Sequence, residues 1–326
     1  MSLSQGIVRA ALLLAILLLT GSCSSSPPNL RASGKPRTID MIVKMNHGDY
    51  WNTVKMGAEV AAKEFNVQLT FKAPDNESDI DGQIRLMDQS IQNKADAIIL
   101  SASDYMKLAQ VTDRAAYYKI PVISMDSEVA SARVKTFVGT NNYEAGQKAA
   151  ERMVALTGTN SRIGVMNFVQ GSKNGDEREE GFMDYIARFP GVQVVAVEYC
   201  QSNEQLAREL TRKMLNEHPD INGIVALNEV ASIGTGEEIQ KLGAGGRVKL
   251  ITFDSPAKVM ELLQEGIVQA TVIQNPFNNG YLAVQYAVEA MEGLDVPERI
   301  DTKSKIIDLD NMLWPDNQKQ LFPFVR

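Results

Sequence analysis

Short apolar runs alternate with longer amphipathic runs along most of this chain, which has 326 residues. The runs Ala97–Leu100 and Val122–Met125 are mostly apolar, as is typical of strands that helices cover on both faces. Between such runs, segments such as residues 50–65 place apolar side chains at helical spacing. Strands of about four to eight residues that alternate with helices of about ten to fifteen predict βαβ units and a parallel sheet.

A second set of strands and helices begins near residue 134 and is similar to the first. The segment VISMDS of the first set is matched by LITFDS in the second, and KADAIILSAS is matched by DINGIVALNE. In a parallel sheet the carboxyl ends of the strands lie along one edge, where ligands bind. The sequence therefore predicts an α/β protein of two similar lobes, with a cleft between their carboxyl edges.

The composition argues against several classes of function. Lys and Arg total 33 against 40 for Asp and Glu, so the net charge is -7, and no basic cluster is present to grip a phosphate backbone. Two cysteines, Cys23 and Cys200, and two histidines are too few for a His/Cys metal site. Neither GxxxxGK[ST] nor GxSxG occurs. We therefore expect no nucleic-acid partner, no metal, no cofactor and no catalytic residues.

The first 22 residues have the features of an export signal. Arg9 precedes an apolar block at residues 10–19, which as a helix would rise only ~15 Å against a hydrocarbon core of ~30 Å. Small residues then precede Cys23, as at the lipidation site of bacterial lipoproteins, although Thr20 stands where an aliphatic residue is usual. A plain secretory signal, or an accidental cysteine in an uncleaved segment, is the alternative. Residues 23–36 are rich in Ser and Pro and predict a solvated tether.

Two aspartates follow equivalent apolar strands of the two predicted lobes. Asp126 ends PVISMD and Asp254 ends LITFD. A carboxylate at that position can accept hydrogen bonds from two ligand hydroxyls, each worth about 1.5–3 kcal/mol. The alternative is that each aspartate caps the next helix or turn. Because the position repeats in both lobes, ligand binding is the preferred interpretation.

The loop after the first strand carries aromatic and polar side chains. Tyr50 and Trp51 open a helix there and could cover the C–H face of a sugar ring, while Asn46, His47 and Asp49 supply polar atoms. The alternative places Trp51 in the ordinary core, and His47 could be a bystander.

An arginine near the start of a second-lobe helix is a further candidate. Arg178 follows the loop at residues 170–175, and in the cleft its guanidinium would offer a fork of five donors to ligand oxygens. The alternative is a surface ion pair with the neighbouring acids, which would contribute little stability.

Six short segments between residues 37 and 310 occur in a distinctive order and spacing. They are Tyr50-Trp51 before KMGAEVAAKEF, PVISMD, REEGF, NEHPDINGIVALNE, LITFD and ATVIQNP. Together they resemble the ribose/galactose-type periplasmic sugar-binding proteins, whose fold is shared with the ligand-binding half of lactose-repressor-type regulators. The resemblance implies a ligand set of Tyr50, Trp51, Asp126, Arg178, Asn228, Asp254 and Gln274, with Asn46 or His47 as further candidates.

The resemblance also implies the type I periplasmic binding protein fold, in which three crossovers join two Rossmann-like lobes with parallel sheets. The implied N-terminal lobe comprises residues 37–140 and 276–302, and the C-terminal lobe comprises residues 141–275 and 303–326. The crossovers are expected near residues 139–143, 274–277 and 301–304.

Several positions depart from the family pattern. Ser127 stands where ribose binders have an arginine, and His47-Gly48-Asp49 replaces an Asn-Pro sequence. Ser202 falls where the second lobe would contribute an aromatic ring, and Glu229 replaces an aspartate. We expect a cleft that is more acidic and less aromatic than a pentose site.

The implied function is that of a monomeric, extracytoplasmic solute-binding lipoprotein. It would capture a sugar or related polyol and present its closed form to an ABC sugar importer or, alternatively, to a membrane histidine kinase. Lipidated Cys23 would anchor it to the cell membrane, and without lipidation it would be periplasmic. A glycosidase would need two carboxylates about 5–9.5 Å apart at a scissile bond. A repressor-like regulator is disfavoured because a tether, and no helix-turn-helix, precedes the first strand.

Overall fold

Two six-stranded sheets organise residues 37–321, the part of the chain that the computed structural model describes. The predicted export signal, the predicted lipidation site at Cys23 and the predicted tether lie outside the described residues, as do residues 322–326. Within the described range, none of the helices has the length and apolarity needed to cross a membrane.

The first sheet is parallel throughout and has the order β11-β5-β4-β3-β1-β2. Its strands are β1 (Thr38–Ile42), β2 (Gln68–Lys72), β3 (Ala97–Leu100), β4 (Val122–Met125), β5 (Thr136–Thr140) and β11 (Arg299–Thr302). The helices packed around it are α1 (Asp49–Glu64), α2 (Ile80–Gln92), α3 (Ala109–Tyr117) and α9 (Pro276–Met291). We call this sheet with its helices the first lobe.

The second sheet has the order β12-β10-β9-β8-β6-β7, with β12 antiparallel to β10. Its strands are β6 (Ser161–Asn167), β7 (Val192–Tyr199), β8 (Gly223–Ala226), β9 (Lys249–Phe253), β10 (Val268–Ile273) and β12 (Lys305–Ile307). Its helices are α4 (Asn142–Thr157), α5 (Lys173–Ile186), α6 (Glu204–Glu217), α7 (Glu229–Lys241) and α8 (Ala257–Gln264), followed by the short α10 (Pro315–Leu321). This sheet with its helices is the second lobe.

The chain passes between the sheets three times. The passages lie between β5 and α4, between β10 and α9, and between β11 and β12. Strands β3, β4 and β8 are buried at every position, because helices cover both faces of each sheet. The predicted fold class, two α/β lobes with parallel sheets joined by three crossovers, is confirmed.

Close helix packing requires glycine at corresponding places in the two lobes. A Cβ atom on Gly57 of α1 would lie 2.0 Å from the carbonyl oxygen of Phe277 in α9. In the second lobe, a Cβ atom on Gly146 of α4 would lie 2.1 Å from the carbonyl oxygen of Arg178 in α5. Both distances are far below van der Waals contact, so only glycine lets the helices approach this closely. The contact at Gly146 also positions the backbone of Arg178.

Some predicted element bounds differ from the structure. The sequence pattern predicts a second-lobe helix over residues 177–187, whereas this helix begins at Lys173. The pattern misses the first turn because that turn contains Asn, Gly and Asp, which are weak helix formers. The run TIDMIVKM predicts a first strand over residues 38–45, whereas the strand ends at Ile42, although Val43, Lys44 and Met45 remain buried. The edge strands β11 and β12 were not predicted.

Candidate functional site

A cavity lies between the carboxyl edges of the two sheets, and both lobes contribute residues to its wall. The first lobe lines it with Lys44, Met45, His47, Gly48, Tyr50, Trp51, Glu77 and Asp126. The second lobe and the passage after β10 line it with Phe168, Asn174, Arg178, Asn228, Glu229, Val230, Asp254 and Gln274.

The two predicted aspartates occupy equivalent backbone positions. Asp126 follows β4 with a φ of 63°, and Asp254 follows β9 with a φ of 68°. Their amides donate to the carbonyl oxygens of Val138 and Val272, at 2.9 Å in each case. A left-handed backbone is costly for a residue with a Cβ atom, so each lobe holds its aspartate against strain. Both side chains are buried and line the cavity.

The Asp126 carboxylate is the centre of a buried hydrogen-bond network. Tyr50 Oη donates to Oδ1 at 2.6 Å, Ser101 Oγ donates to Oδ2 at 2.9 Å, and Asn174 Nδ2 donates to Oδ2 at 3.2 Å. Burial and the adjacent Asp126 carboxylate raise the pKa of Tyr50 well above its ordinary value, so the phenol remains a donor. All three donors are side chains. An aspartate that caps a helix would instead accept from backbone amides at the start of that helix, so these bonds are not those of the capping alternative.

The Asp254 carboxylate is bound by the passage after β10. Gln274 Nε2 donates to Asp254 Oδ1 at 2.7 Å, and Thr140 Oγ1 donates to Gln274 Oε1 at 3.0 Å. Burial raises the pKa of Asp254, and the positive charge of Arg178 opposes that rise. A charged donor on a ligand would stabilise the ionised carboxylate further.

Arg178 is almost completely buried, at 1% exposure, so the surface ion-pair alternative is wrong. Its Nε donates to Asn142 Oδ1 at 3.0 Å, its Nη1 donates to the carbonyl oxygen of Leu227 at 2.7 Å, and its guanidinium lies 4.6 Å from the centre of the Phe253 ring. The buried Nη2 has no hydrogen-bond partner among residues 37–321. A buried donor without a partner carries a desolvation cost that a ligand oxygen would remove.

The aromatic pair belongs both to the core and to the cavity wall. Tyr50 and Trp51 are 8% and 7% exposed and pack edge to face, with ring centroids 5.0 Å apart. Both contact the apolar core of the first lobe and line the cavity. The interpretation of Trp51 as a core residue and its interpretation as a cavity residue are therefore compatible.

The two loop candidates lie in different places. His47 is exposed and lines the cavity, whereas Asn46 is exposed and absent from the lining residues. Asn46 Nδ2 donates instead to Asp75 Oδ1 at 3.3 Å. The structure thus brings His47 to the site and does not bring Asn46 there.

Asn228 is shared between a helix start and the cavity. Its Oδ1 accepts from the Ala231 amide at 2.9 Å and caps α7, while its Nδ2 donates to Ser202 Oγ at 3.1 Å. Ser202 Oγ in turn donates to Glu77 Oε2 of the first lobe at 2.5 Å.

A buried ion pair in the cavity wall was not predicted. Lys44 Nζ lies 2.9 Å from Glu77 Oε1, and both side chains are less than 5% exposed. Lys44 Nζ also donates to Ser172 Oγ at 2.5 Å and to Asn174 Oδ1 at 2.9 Å, both in the second lobe. A lysine between the apolar residues Val43 and Met45 was a signal for this pair, whereas nothing in the local sequence marked Glu77.

Glu229 joins the lobes at the start of α1. Its Oε1 accepts from the Asp49 amide at 2.9 Å and its Oε2 accepts from the Tyr50 amide at 2.8 Å. Burial, followed by repulsion from Asp254, raises the pKa of Glu229 to about 7, although the two amides oppose the rise. Because these bonds and those of Lys44 cross between the lobes, the structure represents a closed arrangement.

Two α/β lobes that meet around a polar cavity, joined by three passages, define a periplasmic-type binding protein. Residues 39–295 match the family model described as a periplasmic binding protein domain, and the chain belongs to this family. Among residues 37–321, no group of three or more His, Cys, Asp or Glu side chains is placed to hold a metal ion.

Curated relatives match over nearly their whole length. The chain is 26% identical to the D-ribose/D-allose-binding protein of Pseudomonas aeruginosa, across 86% of this chain and 91% of that protein. It is 25% identical to the ribose import binding protein RbsB of Bacillus subtilis, across 92% of this chain and 97% of that protein.

Solved structures agree with this assignment. A carbohydrate transporter solute binding protein from Agrobacterium radiobacter, in complex with D-arabinose, has a TM-score of 0.86 at 28% identity, covering 89% of this chain and 100% of that chain. An ABC transporter solute binding protein from Agrobacterium vitis with bound D-fucose has a TM-score of 0.85 at 30% identity, covering 87% and 99%. The chain is thus a solute-binding protein and not an enzyme, as the sequence predicts, and its family implies a place outside the cytoplasm.

Proposed function

We propose that this protein captures a sugar or related polyol in the cavity between its lobes and delivers it to an ABC importer. The observation that carries the proposal is the arrangement of three side chains. Asp126 and Asp254, from opposite lobes, line one cavity together with Arg178, whose buried Nη2 lacks a partner among the described residues.

The chemistry of these groups suits a polyhydroxylated ligand. Sugar hydroxyls donate to the two carboxylates and accept from the guanidinium, and each charge-assisted bond contributes about 1.5–3 kcal/mol. Tyr50 and Trp51 cover an apolar C–H face of the ring. His47, Asn228 and Gln274 add polar contacts at the cavity wall.

The lobes move as two bodies in this proposal. Residues 37–140 and 276–302 form the first body, and residues 141–275 with 303–321, the described part of the predicted 303–326, form the second. A ligand that contacts both bodies favours the closed arrangement and shifts the open–closed equilibrium.

The names of the relatives favour import over sensing. The Bacillus subtilis relative is named an import binding protein, and both solved structures are solute binding proteins of transporters. Delivery to a histidine kinase has no comparable support. Deletion of the gene should slow uptake of the radiolabelled sugar, whereas a sensor would change transcription and leave uptake by an already expressed importer intact.

Membrane attachment through Cys23 is part of the proposal, with a monomeric protein as the binding unit. Mass spectrometry of the protein from its native host should find the chain beginning at Cys23 with a diacylglycerol. A mature chain with an unmodified Cys23 would indicate that the protein is free in the periplasm and has no lipid anchor.

Isothermal titration calorimetry of the purified protein tests the binding function. The panel comprises D-ribose, D-allose, D-arabinose and D-fucose, which are the sugars of the relatives, with glycine betaine as a control that lacks hydroxyls. We expect saturable binding of at least one sugar and none of the control. Absence of binding across the panel and a wider set of pentoses, hexoses, polyols and nucleosides would contradict the proposal.

A further inference from the structure

Helix α1 begins without a side-chain cap of its own. Its N-cap residue is Gly48, and no side chain within the first lobe, as far as it is described, accepts from the first amides. A helix start leaves amides without intrahelical partners, and an acceptor there stabilises the helix. The acceptor is supplied across the cleft by Glu229, whose two carboxylate oxygens bind the amides of Asp49 and Tyr50.

Helix α8 of the second lobe has the complementary arrangement. It follows Pro256, and its start likewise lacks a side-chain cap from its own lobe in the described chain. The Ala257 amide donates to Asp49 Oδ2 of the first lobe at 3.2 Å. Each lobe therefore caps a helix of the other, and we call these two contacts the cross-lobe caps.

The residue at the start of α1 is suited to this contact. Gly48 has a φ of 99°, which a residue with a side chain adopts only with strain. A Cβ atom at this position would lie 2.9 Å from Glu229 Oε1. Glycine thus provides both the backbone turn and the space that the incoming carboxylate occupies.

We propose that Glu229 and Asp49 are positioning residues that hold the lobes in the closed arrangement through the cross-lobe caps. The proposal deepens the proposed function, on which its effect on sugar release rests. The caps exist only when the lobes meet, because donor and acceptor belong to different lobes. They also fix Tyr50, whose amide is capped by Glu229 and whose hydroxyl donates to Asp126 in the cavity.

The two caps differ in strength. Glu229 is buried and binds two amides, whereas Asp49 is exposed and binds one at a longer distance. Water competes more effectively for the exposed contact. Loss of the Glu229 cap should therefore shift closure more than loss of the Asp49 cap.

The test measures the distance between the lobes with spin labels. Cysteines replace Arg85 on α2 and Glu209 on α6, one exposed position in each lobe, in a Cys23→Ser background. Cys200 is kept because it is buried. Glu229→Ala and Asp49→Ala are compared with two controls. Glu237→Ala removes a carboxylate of α7 that pairs with Arg208 in its own lobe, and Glu59→Ala removes one of α1 that pairs with Lys55.

We expect Glu229→Ala to deplete the closed-distance population of the ligand-free protein and to speed sugar dissociation about five- to tenfold, since loss of a helix cap has about that effect on an equilibrium. Asp49→Ala should act in the same direction by about two- to threefold, and both controls should match the wild type. A residue with a merely structural role would lower the melting temperature and leave the distance distribution unchanged.

Two results would overturn the proposal. One is that both cap variants keep the wild-type distance distribution and dissociation rate. The other is a wild-type protein whose labels never reach the closed distance, with or without sugar. The ligand-free distance measurement needs no sugar, so failure of the cross-lobe caps is distinguishable from failure of the proposed sugar binding.

Discussion

Thr140, the last residue of β5, and Gln274, on the passage after β10, share a hydrogen bond of 3.0 Å. Gln274 in turn donates to Asp254 in the cavity. The end of β5 in the first lobe is thus linked to a candidate ligand group in the second lobe through one glutamine. The corresponding link in the first lobe runs from Thr302 Oγ1 to Asn279 Oδ1, and from Asn279 Nδ2 to the hydroxyl of Tyr50.

The first prediction concerns this link. Thr140→Val removes the hydroxyl and keeps the shape, so Gln274 loses the donor that orients it toward Asp254. We expect sugar affinity to fall by about fivefold, corresponding to about 1 kcal/mol for one hydrogen bond, as measured by calorimetry. Thr136→Val is the control, because its hydroxyl, on the same strand, does not contact Gln274. Equal affinity in both variants would show that the link plays no part in binding.

The second prediction concerns the charged groups of the cavity. Asp254→Asn and Arg178→Ala should each weaken sugar binding by at least about 1.5 kcal/mol, or roughly tenfold, because a charge-assisted hydrogen bond is lost. Thermal unfolding followed by circular dichroism should remain cooperative in both variants. Wild-type affinity in both would mean that the ligand binds elsewhere.

The sequence predicts the central strands, such as β3, β4 and β8, because each is a mostly apolar run covered on both faces. It also predicts the equivalent placement of Asp126 and Asp254, because the same strand-end pattern occurs in both lobes. The edge strands β11 and β12 escape prediction, since they are short and only partly buried and therefore lack an apolar pattern.

Contacts between the lobes could not be read from local sequence. Lys44 and Ser172 are 128 residues apart, and Glu229 and Asp49 are 180 apart. Their proximity depends on how the two lobes close. The spacing of apolar residues along the sequence carries no information about that closure. Asn46 was a candidate because its loop ends at the cleft, but the loop turns its side chain toward Asp75.

The third prediction follows from the raised pKa of Glu229. In the closed arrangement the pKa is about 7, whereas an open cleft would return it toward its ordinary value of 4.5. The closed form therefore binds a proton more tightly, so protonation favours closure, and this contribution is lost as the pH rises through about 7. From these two values we expect sugar binding to be about tenfold tighter at pH 6 than at pH 8.

The groups that face Glu229 set this expectation. The Asp254 carboxylate repels the ionised Glu229 side chain, and the pKa of Asp254 is itself raised. The amides of Asp49 and Tyr50 favour the ionised form of Glu229. Glu229→Gln should flatten most of the dependence between pH 6 and pH 8, measured by calorimetry in buffers of matched ionic strength. A steep dependence that survives in the glutamine variant would assign it to another group.

The fourth prediction compares two glycines with a positive φ. Gly48→Ala and Gly243→Ala should each lower the free energy of unfolding by about 1–3 kcal/mol through backbone strain, measured by urea denaturation. An added Cβ atom at Gly243 meets no atom within 4 Å among the described residues, whereas one at Gly48 meets Glu229. Only Gly48→Ala should therefore weaken sugar binding as well. Equal affinities in the two variants would contradict the contact at Gly48.

The central claim is that carboxylates from opposite lobes hold one sugar together with Arg178. A crystal structure of the protein with a sugar that binds in the calorimetric panel tests it most directly. We predict hydroxyl oxygens of the bound sugar within hydrogen-bonding distance of Asp126 and Asp254, and a sugar oxygen bound to Arg178 Nη2. A sugar seated elsewhere, or a sugar in the cavity that leaves both carboxylates without a contact, would contradict the claim.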